Sequence, residues 1–191
     1  MAANYIAADE CRDRCHNAWP IVAAKHSSCS HLQHSKTLMY TEQIAAISAL
    51  PAQLREAVAG LDDQQLDTPY RNGGWTLRQV VHHIADSHLN AFIRTKLMLA
   101  ENHPTLKPYD QDDWARLPDN HVPVEASLLL VEGLHQRWAA LLASLRDGDW
   151  ERTAFHPENG VMSLHNIIQL YATHGANHVA QIVGLRERMG W

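Results

Sequence analysis

Apolar residues recur at steps of three and four over four long stretches of this chain, and each stretch predicts an amphipathic helix. In the first, Ile44, Ile47, Leu50, Leu54, Val58 and Leu61 form one stripe from Thr41 onward, with Pro51 as a kink or restart and Gly60-Leu61-Asp62-Asp63 as the end. The second opens at Thr76, which with Gln79 makes a capping box. It carries Leu77, Val80, Val81, Ile84, Ala91, Phe92 and Leu99 to about Glu101, where Asn102-His103-Pro104 stops it. The third follows Pro123, with Leu128, Val131, Leu134, His135, Trp138, Leu141, Leu142 and Leu145, and ends at Asp147-Gly148-Asp149. The fourth has Ser163 as its cap, a Met162/Ile167 staple and the stripe Ile167, Tyr171, His174, His178, Ile182, Leu185, Met189. Residues 155–160 read as a turn and no strand is expected. These elements predict an all-α fold, a four-helix bundle with a long connection between helices two and three. That connection, about twenty residues, is long enough to cross along the bundle or to wall off a site.

Residues 1–40 have a different texture. They mix Cys, His, Ser and Lys without a sustained period, and are expected to form a poorly ordered extension ahead of a bundle domain spanning 41–191. All three cysteines, Cys11, Cys15 and Cys29, fall there, so the body of the chain is no disulfide scaffold. With His31 or His34 they could be drawn as a zinc knuckle, but the spacing fits no usual paired-ligand pattern. A length of 191 residues with 46% hydrophobic residues suits one domain with its own core. The formal net charge of -5 argues against nucleic acid or an anionic membrane as the main partner. No stretch has the apolar length of a membrane span and no leader pattern is visible, so a cytoplasmic location is expected. The expected partners are a small-molecule substrate and a second copy of the chain in a homodimer.

The feature that carries chemistry is the pair His174 and His178 in the apolar stripe of the last helix. Two buried imidazoles one turn apart cost on the order of 1–3 kcal/mol each without polar partners, whereas one divalent metal ion satisfies both. The plainer alternative is two core histidines hydrogen-bonded to backbone or to each other. A catalytic metal site needs a third ligand from another helix. Helical projection places His88 on the apolar face of helix two, His83 on its edge and His82 toward solvent, and His135 on the buried side of helix three. Projection alone does not choose among them.

The run Leu66-Asp67-Thr68-Pro69-Tyr70-Arg71-Asn72-Gly73-Gly74-Trp75-Thr76-Leu77-Arg78-Gln79-Val80-Val81-His82-His83-Ile84-Ala85-Asp86-Ser87-His88 resembles the YfiT branch of the DinB-like superfamily of metal-dependent enzymes. Lys107-Pro108-Tyr109, Leu134-His135-Gln136-Arg137-Trp138, Phe155-His156-Pro157-Glu158, His174-Gly175-Ala176-Asn177-His178 and Arg188-Met189-Gly190-Trp191 continue the likeness over about residues 41–191. The resemblance implies a four-helix bundle holding one divalent ion, zinc or nickel, through His83, His174 and His178. Residues 1–40 depart from it: the branch usually opens with an extended segment bearing a Tyr-Pro-Ile-Gly-like motif, and this chain has none, through divergence or a start-site or frame difference upstream of Thr41.

Three neutral imidazoles leave a metal ion strongly Lewis-acidic, able to activate water or hold a thiol as thiolate. Branch members are labelled metal-dependent hydrolases, while relatives in the superfamily transfer low-molecular-weight thiols such as bacillithiol or mycothiol. No acidic residue lies on the stripe beside His174 and His178 to serve as a base, which favours thiol transfer to a small electrophile over hydrolysis; a metal-binding or stress-related bundle without catalysis is the third reading. Asp86, Tyr70, Arg71, Glu158 and Gln181 are the candidates for orienting ligands or contacting substrate, each with an ordinary capping or surface role as its alternative.

Overall fold

A computed structural model describes the backbone from Cys29 and side chains from Tyr40 onward. Four long helices dominate it: α1 (Cys29–Val58), α3 (Leu77–Ala100), α5 (Glu125–Ala143) and α7 (Leu164–Met189), with single-turn helices α2 (Asp63–Leu66), α4 (Gln111–Trp114) and α6 (Asp147–Trp150) and a 3-10 turn at Pro118–His121 between them. The expected caps hold. Thr76 and Gln79 exchange hydrogen bonds at the start of α3, Ser163 caps α7 with Asn166 reciprocating, and Gly190 ends α7 in the left-handed region at φ 71°.

Around the bundle each long helix packs on two others: α1 on α5 and α7, and α3 on the same two. The pairs α1/α3 and α5/α7 are therefore diagonal, so two of the three connections between successive long helices cross the bundle end. The longest connection, residues 101–124, joins the adjacent helices α3 and α5. It is a wall rather than a crossover. Gln79 Nε2 donates to the Ala115 carbonyl (2.8 Å), Arg94 to the Lys107 carbonyl (2.8 Å) and Trp75 Nε1 to Asp112 Oδ1 (3.0 Å), pinning the loop along α3.

Three expectations need correction. The first concerns strands: Thr153–His156 (β1) and Gly160–Ser163 (β2) form an antiparallel hairpin with Thr153 opposite Ser163 and His156 opposite Gly160, where a simple turn was expected. Four residues a side give too short a period to register as a strand, and the hairpin is fastened from outside, by hydrogen bonds from Leu106 to the Phe155 carbonyl and from Phe155 to that of Pro104. The second concerns α1, which reaches back to Cys29, so the boundary expected at residue 41 falls within a helix. No glycine or proline interrupts residues 29–50, and a helix nucleated by its packed part propagates freely through such a stretch. The third concerns His82, expected toward solvent. It is buried, because the loop before α5 folds over that face: His82 Nε2 donates to the Val122 carbonyl (3.1 Å) and Nδ1 accepts from Ser127 Oγ (2.7 Å). The potential zinc knuckle of Cys11, Cys15, Cys29, His31 and His34 lies outside the described side chains. No helix of the described residues is long and apolar enough to cross a membrane.

The core divides in two. One apolar cluster gathers Ile47, Phe92, Trp138, Leu142, Leu164 and Ile168, and the other Leu50, Leu54, Leu77, Ile84, Val131 and Ile182. Both contain residues of all four long helices; on α3 and α7 the change from one cluster to the other falls at His88 and at His174 with His178, and on α5 it falls just before His135. A polar layer thus crosses the bundle at mid-height.

Candidate metal centre

His174 and His178 stand one turn apart on α7, and His83 faces them from the neighbouring α3. Their Nε2 atoms converge: His83 to His174 is 3.1 Å and His178 to His174 is 3.1 Å. Among the described residues this is the group of ligand-type side chains that could hold a metal ion. His178 Nδ1 donates to Gln181 Oε1 at 2.8 Å, one turn on, which leaves its Nε2 as a lone pair aimed at the cluster. Burial holds all three rings below the ordinary histidine range, and the neighbouring imidazoles push His83 and His174 further down, so the donors are neutral at physiological pH. Three neutral ring nitrogens this close, with at most one proton to share along any edge, fit a divalent cation better than they fit each other.

The surroundings are apolar on one side and ionisable on the other. The Trp75 ring packs on His83 at 4.6 Å between centroids and is held there by Asp112. Tyr171 lies 5.6 Å from His174 and receives a hydrogen bond from Arg94 (3.3 Å), whose guanidinium also covers the Tyr109 ring. Asp86, on the next turn of α3 after His83, is half-buried, and burial with the nearby Asp119 charge pushes its carboxyl up to about 6. Burial also pushes the Tyr109 hydroxyl up.

Of the residues singled out in the sequence, the fold brings His83, His174, His178 and Gln181 into one contact network. Tyr70 and Arg71 instead build the turn before α3, where the guanidinium of Arg71 lies over the Tyr70 ring and the Tyr70 carbonyl accepts from Arg188 (2.7 Å). Glu158 is exposed at the hairpin turn, its backbone N–H donating to His156 Nδ1. His88 and His135, weighed as ligands, stand behind His174 instead: His88 Nε2 is 3.3 Å from His174 Nδ1, and His135 Nε2 is 3.0 Å from His88 Nδ1. Trp138, on the stripe of the third long helix, is fully buried, whereas Trp75 covers His83, a placement no local pattern could signal because it depends on the turn before α3.

The profile of the DinB superfamily matches residues 46–182, a span that includes all three histidines. The chain belongs to the DinB superfamily. A protein of Bacillus mycoides (strain KBAB4) named "Putative metal-dependent hydrolase" is 53% identical over 148 residues, 78% of this chain and 86% of its own length. A Bacillus cereus (strain 03BB102) protein of the same name matches to the same extent. Among solved structures, YfiT from Bacillus subtilis, described as a probable metal-dependent hydrolase with an unusual four-helix bundle topology, superposes with a TM-score of 0.77 at 44% identity, over 91% of this chain and 97% of that one. The likeness to that four-helix bundle extends over nearly the whole of this DinB-superfamily chain.

Proposed function

We propose that this chain is a metal-dependent enzyme that holds one divalent ion, zinc or nickel, on His83, His174 and His178 and uses it to activate a nucleophile, a small thiol, against an electrophilic small molecule. The observation that carries the reading is the convergence of three neutral Nε2 donors with no carboxylate in the group. An ion held by neutral ligands keeps its full charge and supplies the Lewis acidity that makes a thiol or water ionise near neutral pH. The residues do the rest. Gln181 fixes the His178 ring, Trp75 packs over His83, and the 101–124 connection holds Trp75 in place through Asp112. In the transfer, the thiol gives up its proton to solvent, its sulfur bonds to the electrophilic carbon, and the leaving group departs with the bonding pair.

Asp86 supports a second reading. A carboxyl titrating at about 6, one turn from His83, suits a general base working on water, and hydrolysis is what the names of the relatives describe. The two readings separate in one experiment: turnover of an electrophile and ester panel with and without bacillithiol, mycothiol or glutathione, against metal-free protein. Thiol- and metal-dependent conjugation supports the proposal. Thiol-independent hydrolysis that is lost in Asp86→Asn replaces it with the second, and no metal-dependent turnover in any combination rejects both.

A further inference from the structure

Pro51 lies inside α1, and its missing N–H leaves the carbonyl of Ile47, four residues earlier, without its helical donor. That carbonyl is not left orphaned. His135 Nδ1, from the adjacent α5, meets it at 2.6 Å. A carbonyl can only accept, so His135 carries its proton on Nδ1, and as a neutral ring it presents a bare lone pair at Nε2. His88 Nδ1 of α3 stands 3.0 Å from that lone pair and must therefore be the donor, which strips the proton from His88 Nε2. His174 Nδ1 of α7 in turn stands 3.3 Å from His88 Nε2 and must donate to it. The direction set at one backbone carbonyl thus passes through all four long helices, in the order in which they neighbour each other, and ends with the His174 Nε2 lone pair turned toward His83 and His178.

We propose that His88 and His135 are positioning residues that act through His174: anchored on the Ile47 carbonyl that Pro51 frees, their one-way hydrogen-bond chain locks His174 in the tautomer whose Nε2 can bind a metal. The alternative tautomer of His174 would point an N–H at the two other ring nitrogens and close the site to a cation. The direction follows from the geometry: the Ile47 carbonyl can only accept, and each successive ring nitrogen lies within hydrogen-bond reach of the next. The chain also explains why two further histidines interrupt an otherwise apolar core. Each would cost stability if unpaired, and each is paired at both ring nitrogens.

This inference rests on the three-histidine metal reading, and its test reads the chain and the metal separately. In the metal-free full-length protein, long-range nitrogen-proton NMR should show His135, His88 and His174 all protonated at Nδ1 and bare at Nε2. Zinc titrated alone, in competition with a chromophoric chelator, should bind His135→Leu about 10–100-fold more weakly than wild type. His135→Gln, whose amide can still donate to Ile47 and accept from His88, should recover most of that loss. His82→Gln, which alters a buried histidine outside the chain, should bind zinc as wild type does. An Nε2–H on any of the three rings overturns the relay, as does wild-type zinc affinity in a folded His135→Leu. A wild-type chain that takes up no zinc ends the metal reading and the positioning role with it, while the NMR pattern independently reports whether the relay exists.

Discussion

Gly175 of α7 lies against Leu50 of α1 so closely that a Cβ at residue 175 would sit 2.5 Å from Leu50 Cδ2. Leu50 is 3% exposed and belongs to the apolar cluster with Leu54, Leu77 and Ile84. An alanine is the better helix former by about 1 kcal/mol, but overpacking a close helix contact costs about 1–3 kcal/mol. Gly175→Ala should therefore be net destabilising in urea unfolding. It should also weaken metal binding, since residue 174 would move with the helix.

Asp86 gives a pH signature. Its carboxyl is held up to about 6 by burial and the Asp119 charge, against an ordinary value of about 4. Between those values the folded chain binds more protons than the unfolded one, so this group makes stability fall as pH rises through that window. The cost is complete above pH 6 and absent below about 4. Asp86→Asn should melt higher than wild type at pH 7 in metal-free protein, with the gap closing toward pH 4; a gap independent of pH would show that the carboxyl is not strained.

Tyr40 packs α1 against the segment that follows α5. It is buried and stacks on Trp150 at 4.2 Å, nearly parallel, tying α1 to α6. A chain truncated to begin at Thr41 should unfold about 2–4 kcal/mol more easily than one beginning at Cys29, because it loses a large buried ring. Equal midpoints in chemical denaturation would place the boundary at 41 after all.

Arg78 is a further structural prediction. Its guanidinium is buried and joins Asp67 (2.6 Å), Asp63 (2.7 Å) and the Val122 carbonyl, so one side chain fastens α2 and the end of the long connection to α3. Lysine cannot serve three acceptors with that planar fork. Arg78→Lys should cost about 1–3 kcal/mol in denaturant unfolding, and a cost below about 0.5 kcal/mol would reduce the cluster to surface ion pairing.

The four helices were legible because their stripes, caps and stops are local: Thr76 with Gln79, Ser163 at α7 and Gly60 after α1 each act within one turn. His174 and His178 were legible for the same reason, as polar residues out of place on a regular stripe. His83 was not chosen by projection, since its role depends on where α7 packs against α3. The burial of His82 is not legible locally because its cover comes from Val122 and Ser127, far along the chain, and neither is the hairpin, whose support comes from Pro104 and Leu106. Pro51 could be seen as a helix anomaly, but its partner His135 could not, because only the packing of α1 on α5 brings the ring to the freed carbonyl.

The central claim is that His83, His174 and His178 together hold one divalent ion. The most direct measurement is metal content per chain by elemental analysis of the wild type and of His83→Ala, His174→Ala and His178→Ala, each verified as folded by circular dichroism. One equivalent in the wild type and a loss to near background in all three variants is the predicted result. Full retention in His174→Ala and His178→Ala would contradict it.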